Sequence, residues 1–199
     1  MKKILLILVV ISLSGFGQTA EDYFNKGITK YNLKNYMGAI IYFTNAIQLN
    51  PDDAEAYNNR GNAWNELKIY SEAIADYNKA IQLNPNIAGA YYNRGRAKLF
   101  LKDYTGAIAD YNKAIQLNPY YAEAYYNRAL IKYNLKDYRG AISDNNKAIQ
   151  LNPDDAEAYN NRGSAKYNLD DKNGACNDWS KAGELGYSKA YTSIKKYCQ

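Results

Sequence analysis

Apolar positions along the chain follow two regimes. Residues 4–13 read Ile-Leu-Leu-Ile-Leu-Val-Val-Ile-Ser-Leu, an almost unbroken apolar run. From residue 20 onward the pattern is periodic instead. In the stretch from Ala54, residues Tyr57, Gly61, Trp64 and Leu67 recur at steps of three and four, which predicts a first helix. Lys68 and Ile69 make a short turn. Ala73, Ile74, Tyr77, Ala80 and Ile81 then fall at i, i+1, i+4, i+7 and i+8, an apolar stripe on a second helix. Pro85 cannot continue that helix, because it lacks the N–H and restricts the residue before it. Asp53 and Asp155 stand where a carboxylate caps the following helix and meets its positive end.

The same unit recurs along the chain. Pro51, Pro85, Pro119 and Pro153 lie 34 residues apart, and each closes the phrase Ala-Ile-Gln-Leu-Asn-Pro. The opening phrase returns from Ala56, Ala90, Ala124 and Ala158. The copies span 20–53, 54–87, 88–121, 122–155 and a divergent 156–189. A hairpin of this size cannot bury its stripe alone, whereas stacked copies can. Gly61 and Ala73, echoed by Gly95 and Ala107, mark the closest approach of the two helices. The last copy carries Lys172, Tyr187 and Cys176 where its predecessors have an aromatic residue, a proline and an isoleucine. Residues 188–199 place Ala190, Tyr191, Ile194 and Tyr197 on one face, which predicts a capping helix over the last exposed stripe.

A 34-residue helix–turn–helix built on these phrases resembles the tetratricopeptide repeat family, over about residues 20–186. It is similar in particular to the bacterial subtype whose first helix carries Tyr-Asn-Arg-Gly. The resemblance implies an all-α, right-handed solenoid of five repeats with a C-terminal cap. It further implies that the first helices line a concave groove that takes a peptide or a partner helix.

The leader changes where this solenoid is expected. Lys2 and Lys3, then ten mostly apolar residues, then Ser14, Gly15 and Gly17 form the pattern of a secretory signal peptide. Cleavage is expected after Gly17, or as late as Ala20. An uncleaved anchor or a buried helix is the alternative, although the run is well short of the ~20 residues that span a bilayer. No cysteine stands at the junction, as a lipid anchor would require, and nothing downstream is apolar enough to span a membrane. A secreted or periplasmic location follows as an expectation.

Composition narrows the chemistry. Discounting the 22 tyrosines, 11% of the 199 residues, from the 47% apolar total leaves about 36%, below the usual ~45–50%. Such a fraction suits a thin array without a central core. The absence of histidine removes the commonest general base and metal ligand. Two cysteines cannot build a four-cysteine zinc site. No cofactor, metal or catalytic residue is expected, and the isolated acids read as caps and ion-pair partners. Nucleic acid is not an expected partner, since Lys79, Lys113, Lys147 and Lys181 recur among interleaved acids and the net charge is only +5.

Three recurring features remain. Arg60, Arg94, Arg128 and Arg162 are each followed sixteen residues later by Asp76, Asp110, Asp144 and Asp178. The first copy lacks both members, having Lys26 and Tyr42. Joint presence and absence favours a partly buried ion pair in each hairpin that fixes register, over an arginine stripe for a ligand. Cys176 and Cys198 lie equally far from a turn at Tyr187, so an antiparallel pair of helices would place them opposite one another. With an oxidising compartment this predicts a disulfide; two separate buried thiols are the alternative.

Asn25, Asn59, Asn93, Asn127 and Asn161 hold one place in all five first helices, despite modest helix propensity. In the family that place faces the groove, where an amide can donate to and accept from a peptide backbone. The other reading is that these amides bond neighbouring helices. Tyr31, Tyr92, Tyr126, Tyr133 and Tyr167 join them as groove candidates, being rings with a polar tip. Glu55, Glu123 and Glu157, with the neutral Asn58, Tyr92 and Tyr126, argue against a basic clamp for acidic chaperone tails. The expected role is a non-catalytic scaffold for a peptide or protein partner. Assembly through the solenoid's own faces, as a homo-oligomer or envelope subunit, is the alternative.

Overall fold

The computed structural model describes residues 18–198, and the expected leader, residues 1–17, lies outside them. Five helical hairpins and a final helix account for the described chain, with no strand among the described residues. The hairpins are α1 (Ala20–Asn32) with α2 (Tyr36–Leu49), α3 (Ala54–Glu66) with α4 (Tyr70–Leu83), and α5 (Ala88–Phe100) with α6 (Tyr104–Leu117). They continue as α7 (Ala122–Asn134) with α8 (Tyr138–Leu151) and α9 (Ala156–Tyr167) with α10 (Lys172–Glu184), closed by α11 (Ala190–Tyr197).

Each hairpin turns on one residue in the left-handed region. Lys34, Lys68, Lys102, Lys136 and Asp170 have φ between 58° and 64°, a conformation that costs a non-glycine residue roughly 1 kcal/mol. The next residue caps the second helix. Asn35, Asp103, Asp137 and Asp171 accept the backbone N–H of Gly38, Gly106, Gly140 and Gly174 at 2.8–2.9 Å. The second hairpin departs from this, because Ile69 has no side-chain acceptor to offer. Asp53 caps α3 by accepting the N–H of Glu55 and Ala56, and Asp155 caps α9 by accepting that of Ala158.

Within a hairpin, an aromatic ring lies against a glycine of the facing helix. A Cβ at Gly61 would come within 2.8 Å of the Tyr77 ring, and one at Gly95 equally close to Tyr111. Gly27 meets Phe43 and Gly163 meets Trp179 in the same way. The fourth hairpin narrows the difference in size, with Ala129 in the glycine's place and a fully buried Asn145 in the ring's. Rows of buried alanines (Ala73, Ala80, Ala107, Ala114) let the helices approach.

Successive hairpins pack second helix onto next first helix, from α2 against α3 to α8 against α9. First helices also touch one another, α1 with α3, α3 with α5 and α7 with α9. The array therefore curves with the first helices on its inner side. At the C-terminus, α11 packs on α10 through Ala190, Ile194 and Tyr197, which cover Trp179. Tyr191 departs from the expected apolar face: its ring is exposed, and its hydroxyl donates to the Gly183 carbonyl at 3.2 Å.

Candidate functional site

Two features of the array carry chemistry: a stitch of charged groups between the helices, and the concave face of the first helices.

In the stitch, Arg94 donates from Nε and Nη2 to both carboxylate oxygens of Asp110, at 2.9 and 2.5 Å. Arg60–Asp76, Arg128–Asp144 and Arg162–Asp178 repeat that two-pronged geometry. The third prong reaches back one copy. Nη1 of Arg60 donates to Thr44, and the same atom of Arg94, Arg128 and Arg162 donates to Asn78, Asn112 and Asn146. Each arginine therefore joins its own second helix to the preceding one, a cross-copy link that the sixteen-residue spacing alone did not reveal. Its planar fork suits a carboxylate bidentately while a further N–H remains available. Asp76, which bonds it and lies beside it, holds the Arg60 guanidinium above its ordinary range. The ring of Tyr57, Tyr91, Tyr125 or Tyr159 lies 5.2–5.5 Å from each guanidinium, in cation–π range.

Three lysines went unnoticed in the sequence. Lys98, Lys132 and Lys166 contact Asp110, Asp144 and Asp178 at 2.8–2.9 Å. Their signal was present: each lies four residues after the arginine, on the same helical face. The second copy has Trp64 at that place, and Asp76 faces Arg60 alone.

The asparagine row is divided in use. Asn25 is exposed. Asn59 donates to the Glu55 carbonyl of its own helix at 3.0 Å. Asn93 donates to Asn62 Oδ1 of the preceding copy at 2.9 Å, and the same oxygen accepts from the Tyr77 hydroxyl. Asn127 donates to the Tyr92 hydroxyl at 3.1 Å and to the Glu123 carbonyl at 3.0 Å. Asn161 accepts a long contact from Asn160, at 3.5 Å. Asn93 and Asn127 thus connect neighbouring first helices, as the second reading of this row anticipates.

The tyrosines stand beside them on the concave face. Tyr126 donates to Glu157 Oε2 at 2.6 Å, and Tyr133 accepts from Asn168 at 3.2 Å. Tyr167 is drawn into the C-terminal packing, with Tyr197 and Trp179 at centroid distances of 4.4 and 5.8 Å. Burial raises the Tyr31 and Tyr92 hydroxyls above their ordinary range and pushes Tyr121 up to about 12. These phenols are therefore neutral donors near pH 7.

Two hollows open on this face. One, of about 100 Å³, is lined by Tyr31, Asn62, Asn65, Glu66, Asn93 and Arg96. The other, of about 340 Å³, lies between Tyr133, Ser164, Tyr167 and Asn168 on one side and Ser193 and Tyr197 of the cap region on the other, with Trp179. Asn65 Oδ1 and Trp179 Nε1 are buried without a partner among the described residues. The disulfide joins Cys176 to Cys198 across 5.8 Å between Cα atoms, fastening the end of α11 to α10.

The arrangement matches known proteins. Family models described as tetratricopeptide repeat match residues 20–53, 54–87, 76–109 and 122–155. A further model, described as TPR repeat, matches 101–136. No curated protein sequence matches significantly. Among solved structures, a crystal structure of MamA protein is similar at 27% identity and a TM-score of 0.78, over 88% of this chain and 96% of that one. The structure of MamA 41-end from Desulfovibrio magneticus RS-1 is 25% identical with a TM-score of 0.79, covering 86% of this chain and 97% of its own. YrrB, described as a TPR protein with an unusual peptide-binding site, shares the fold at 21% identity and a TM-score of 0.77, over 90% and 93% of the two chains. With the matched models together spanning residues 20–155, and those over 20–53, 54–87 and 122–155 each covering one hairpin, the chain belongs to the tetratricopeptide repeat family.

Proposed function

We propose that the protein is a non-catalytic interaction scaffold whose concave face holds an extended peptide or a helix of a partner protein. The observation that carries this reading is the chemistry of that face. Its hollows are lined chiefly by amides and tyrosine hydroxyls, groups that donate to and accept from a peptide backbone, with Glu66 and Arg96 beside them in the first, and Asn65 Oδ1 is left without a partner. The fold it shares with YrrB, whose description names a peptide-binding site, supports the same reading. Site-specific photocrosslinking tests it. A crosslinker at Tyr133 on the concave side should capture a partner that the same group at the exposed Thr105, on α6, does not. Capture from Thr105 alone would refute the groove as the docking face.

The leader at residues 1–17 and the Cys176–Cys198 bond support a location outside the cytoplasm, where disulfides persist. The mass of the protein from secreted or envelope fractions should correspond to a chain beginning at residue 18 or 21. An intact chain confined to the cytosol would refute the assignment.

A further inference from the structure

We propose that the inner face of the first three hairpins holds a single carboxylate side chain of the bound peptide, on the guanidinium of Arg96. The inference rests on the groove reading above and names one residue class in its ligand.

The charge balance of α5 carries the argument first. This helix contains Arg94, Arg96 and Lys98 and no acid. Asp110, buried between α5 and α6, satisfies two of the three cations, with Arg94 bidentate and Lys98 at 2.8 Å. No carboxylate of the described residues lies within 4 Å of Arg96. An arginine cannot shed its proton, so a partly buried positive charge stands in the hollow without an ion-pair partner, and the acid that shares the lining, Glu66, sits exposed on the rim. It lies 5.9 Å from the centre of the Tyr92 ring. Its field reaches five phenols, Tyr31, Tyr77, Tyr92, Tyr111 and Tyr121, easing their ionisation against the stronger effect of burial.

The repeat supplies an internal comparison. The place of Arg96 is held in the other copies by Ile28, Asn62, Leu130 and Ser164, while two positions earlier four copies keep the stitch arginine. Ile28 packs on the first hairpin's core and Asn62 accepts from Tyr77 and Asn93, whereas Arg96 joins no ion pair among the described residues. The second residue of the first helix shows the converse change. It is Glu21, Glu55, Glu123 and Glu157 in four copies and Gly89 in the third, where a Cβ would meet nothing within 4 Å. The copy that gains the unpaired guanidinium is the copy that lacks the acid.

The hollow's lining says more about the ligand. Its volume of about 100 Å³ admits one side chain of the size of Asp or Glu. Asn65, only 8% exposed, lines it with an oxygen that has no partner, so a ligand N–H beside the carboxylate would satisfy both groups. Glu66, exposed on the rim, repels a second acid. The fitting segment therefore carries one acidic residue among neutral ones, held through a charge-assisted, two-pronged bond.

A phage-displayed random dodecapeptide library, selected on the immobilised protein, tests this. Enriched sequences should share one Asp or Glu at a fixed place, and a selected peptide with that residue changed to its amide should bind at least tenfold more weakly. Arg96→Gln should abolish that difference while leaving the far-UV circular dichroism unchanged. The peptide-side change decides the matter on the unmodified protein even where the variant folds poorly. Enriched peptides with no shared acid, or an acid preference that survives in folded Arg96→Gln, would overturn the inference while leaving the groove reading intact. No enrichment of any sequence would overturn the groove reading and this inference together.

Discussion

Replacing Asp110 by Asn asks how much of the solenoid's stability depends on its charged stitch. Asp110 is 5% exposed and receives Arg94 at 2.5 and 2.9 Å and Lys98 at 2.8 Å, whose side chains are 16% and 20% exposed. Asparagine keeps the shape and one acceptor but removes the charge. The guanidinium and the ammonium, both drawn to one carboxylate, are then left roughly 5 Å apart, where unit charges at an effective dielectric near 20 repel by about 3 kcal/mol. Solvent reaches both groups, so we take about 1 kcal/mol of that as realised. Loss of charge-assisted hydrogen bonds adds about 1.5–3 kcal/mol, for a total near 3 kcal/mol. Asp76 supplies the control, because Arg60 is the one cation paired with it among the described residues and Trp64 occupies the lysine's place. Asp76→Asn should cost about 2 kcal/mol, without the repulsion. Urea denaturation followed by circular dichroism measures both, and Lys98→Met in the Asp110→Asn background should restore about 1 kcal/mol. Equal costs at the two aspartates, or no recovery on removing Lys98, would refute this account of the network.

Four further outcomes follow from local geometry. Ile69→Asp gives α4 the N-cap that Asn35, Asp103, Asp137 and Asp171 give the other second helices, and should raise stability by about 1 kcal/mol in the same denaturation assay. Lys102→Gly relieves a left-handed residue at φ 63° and should stabilise by about 0.5–1 kcal/mol, the gain at the turn outweighing the added freedom of the unfolded chain. Tyr121, pushed up to about 12 by burial, stays neutral in the fold above the value near 10 at which an unfolded tyrosine ionises. A folded value above the unfolded one contributes stability that is complete below pH 10 and lost as the pH rises towards 12; absorbance at 295 nm should show a late tyrosine phase accompanying alkaline unfolding, and a single phase near 10 would refute it. Reducing Cys176–Cys198, which are 22 residues apart, should cost about 3 kcal/mol, with amide exchange rising in α10 and α11 and unchanged in α1 to α6.

The hairpin register was legible because duplication prints the same physical instruction several times. Proline at a fixed period and stripes at helical spacing leave few alternatives, and the ends of α3 and α4 fall where Leu67, Lys68 and Pro85 put them. The arginine–aspartate pairs were legible for the same reason, since the copy lacking one member lacks the other. What stayed hidden depends on three-dimensional proximity between copies. The third prong of each arginine reaches a residue sixteen positions upstream, on a helix whose placement the sequence does not state. Asn93 and Asn127 likewise find Asn62 and Tyr92 only once the first helices stack. The capping of α2, α6, α8 and α10 was readable in principle, as Asn or Asp three residues before Gly38, Gly106, Gly140 and Gly174.

A repeat array separates its structural residues from its ligand residues by how they vary between copies. A residue that packs one hairpin against the next meets the same surroundings in each interior copy, so it is held constant or changes with its neighbour. The substitution of Gly by Ala129 together with the loss of the ring at Asn145 is a change of the second kind, a small residue enlarged where a large one shrank. Groove residues meet different parts of a ligand in each copy and are free to diverge singly. The row Ile28, Asn62, Arg96, Leu130 and Ser164 differs in every copy; Ile28 packs on the cluster of Phe43 and Asn62 accepts from the Tyr77 hydroxyl, whereas Arg96 has no ion-pair partner among the described residues. The stitch below them is uniform because it holds the hairpins together, and the varied row above it is where a ligand would be read.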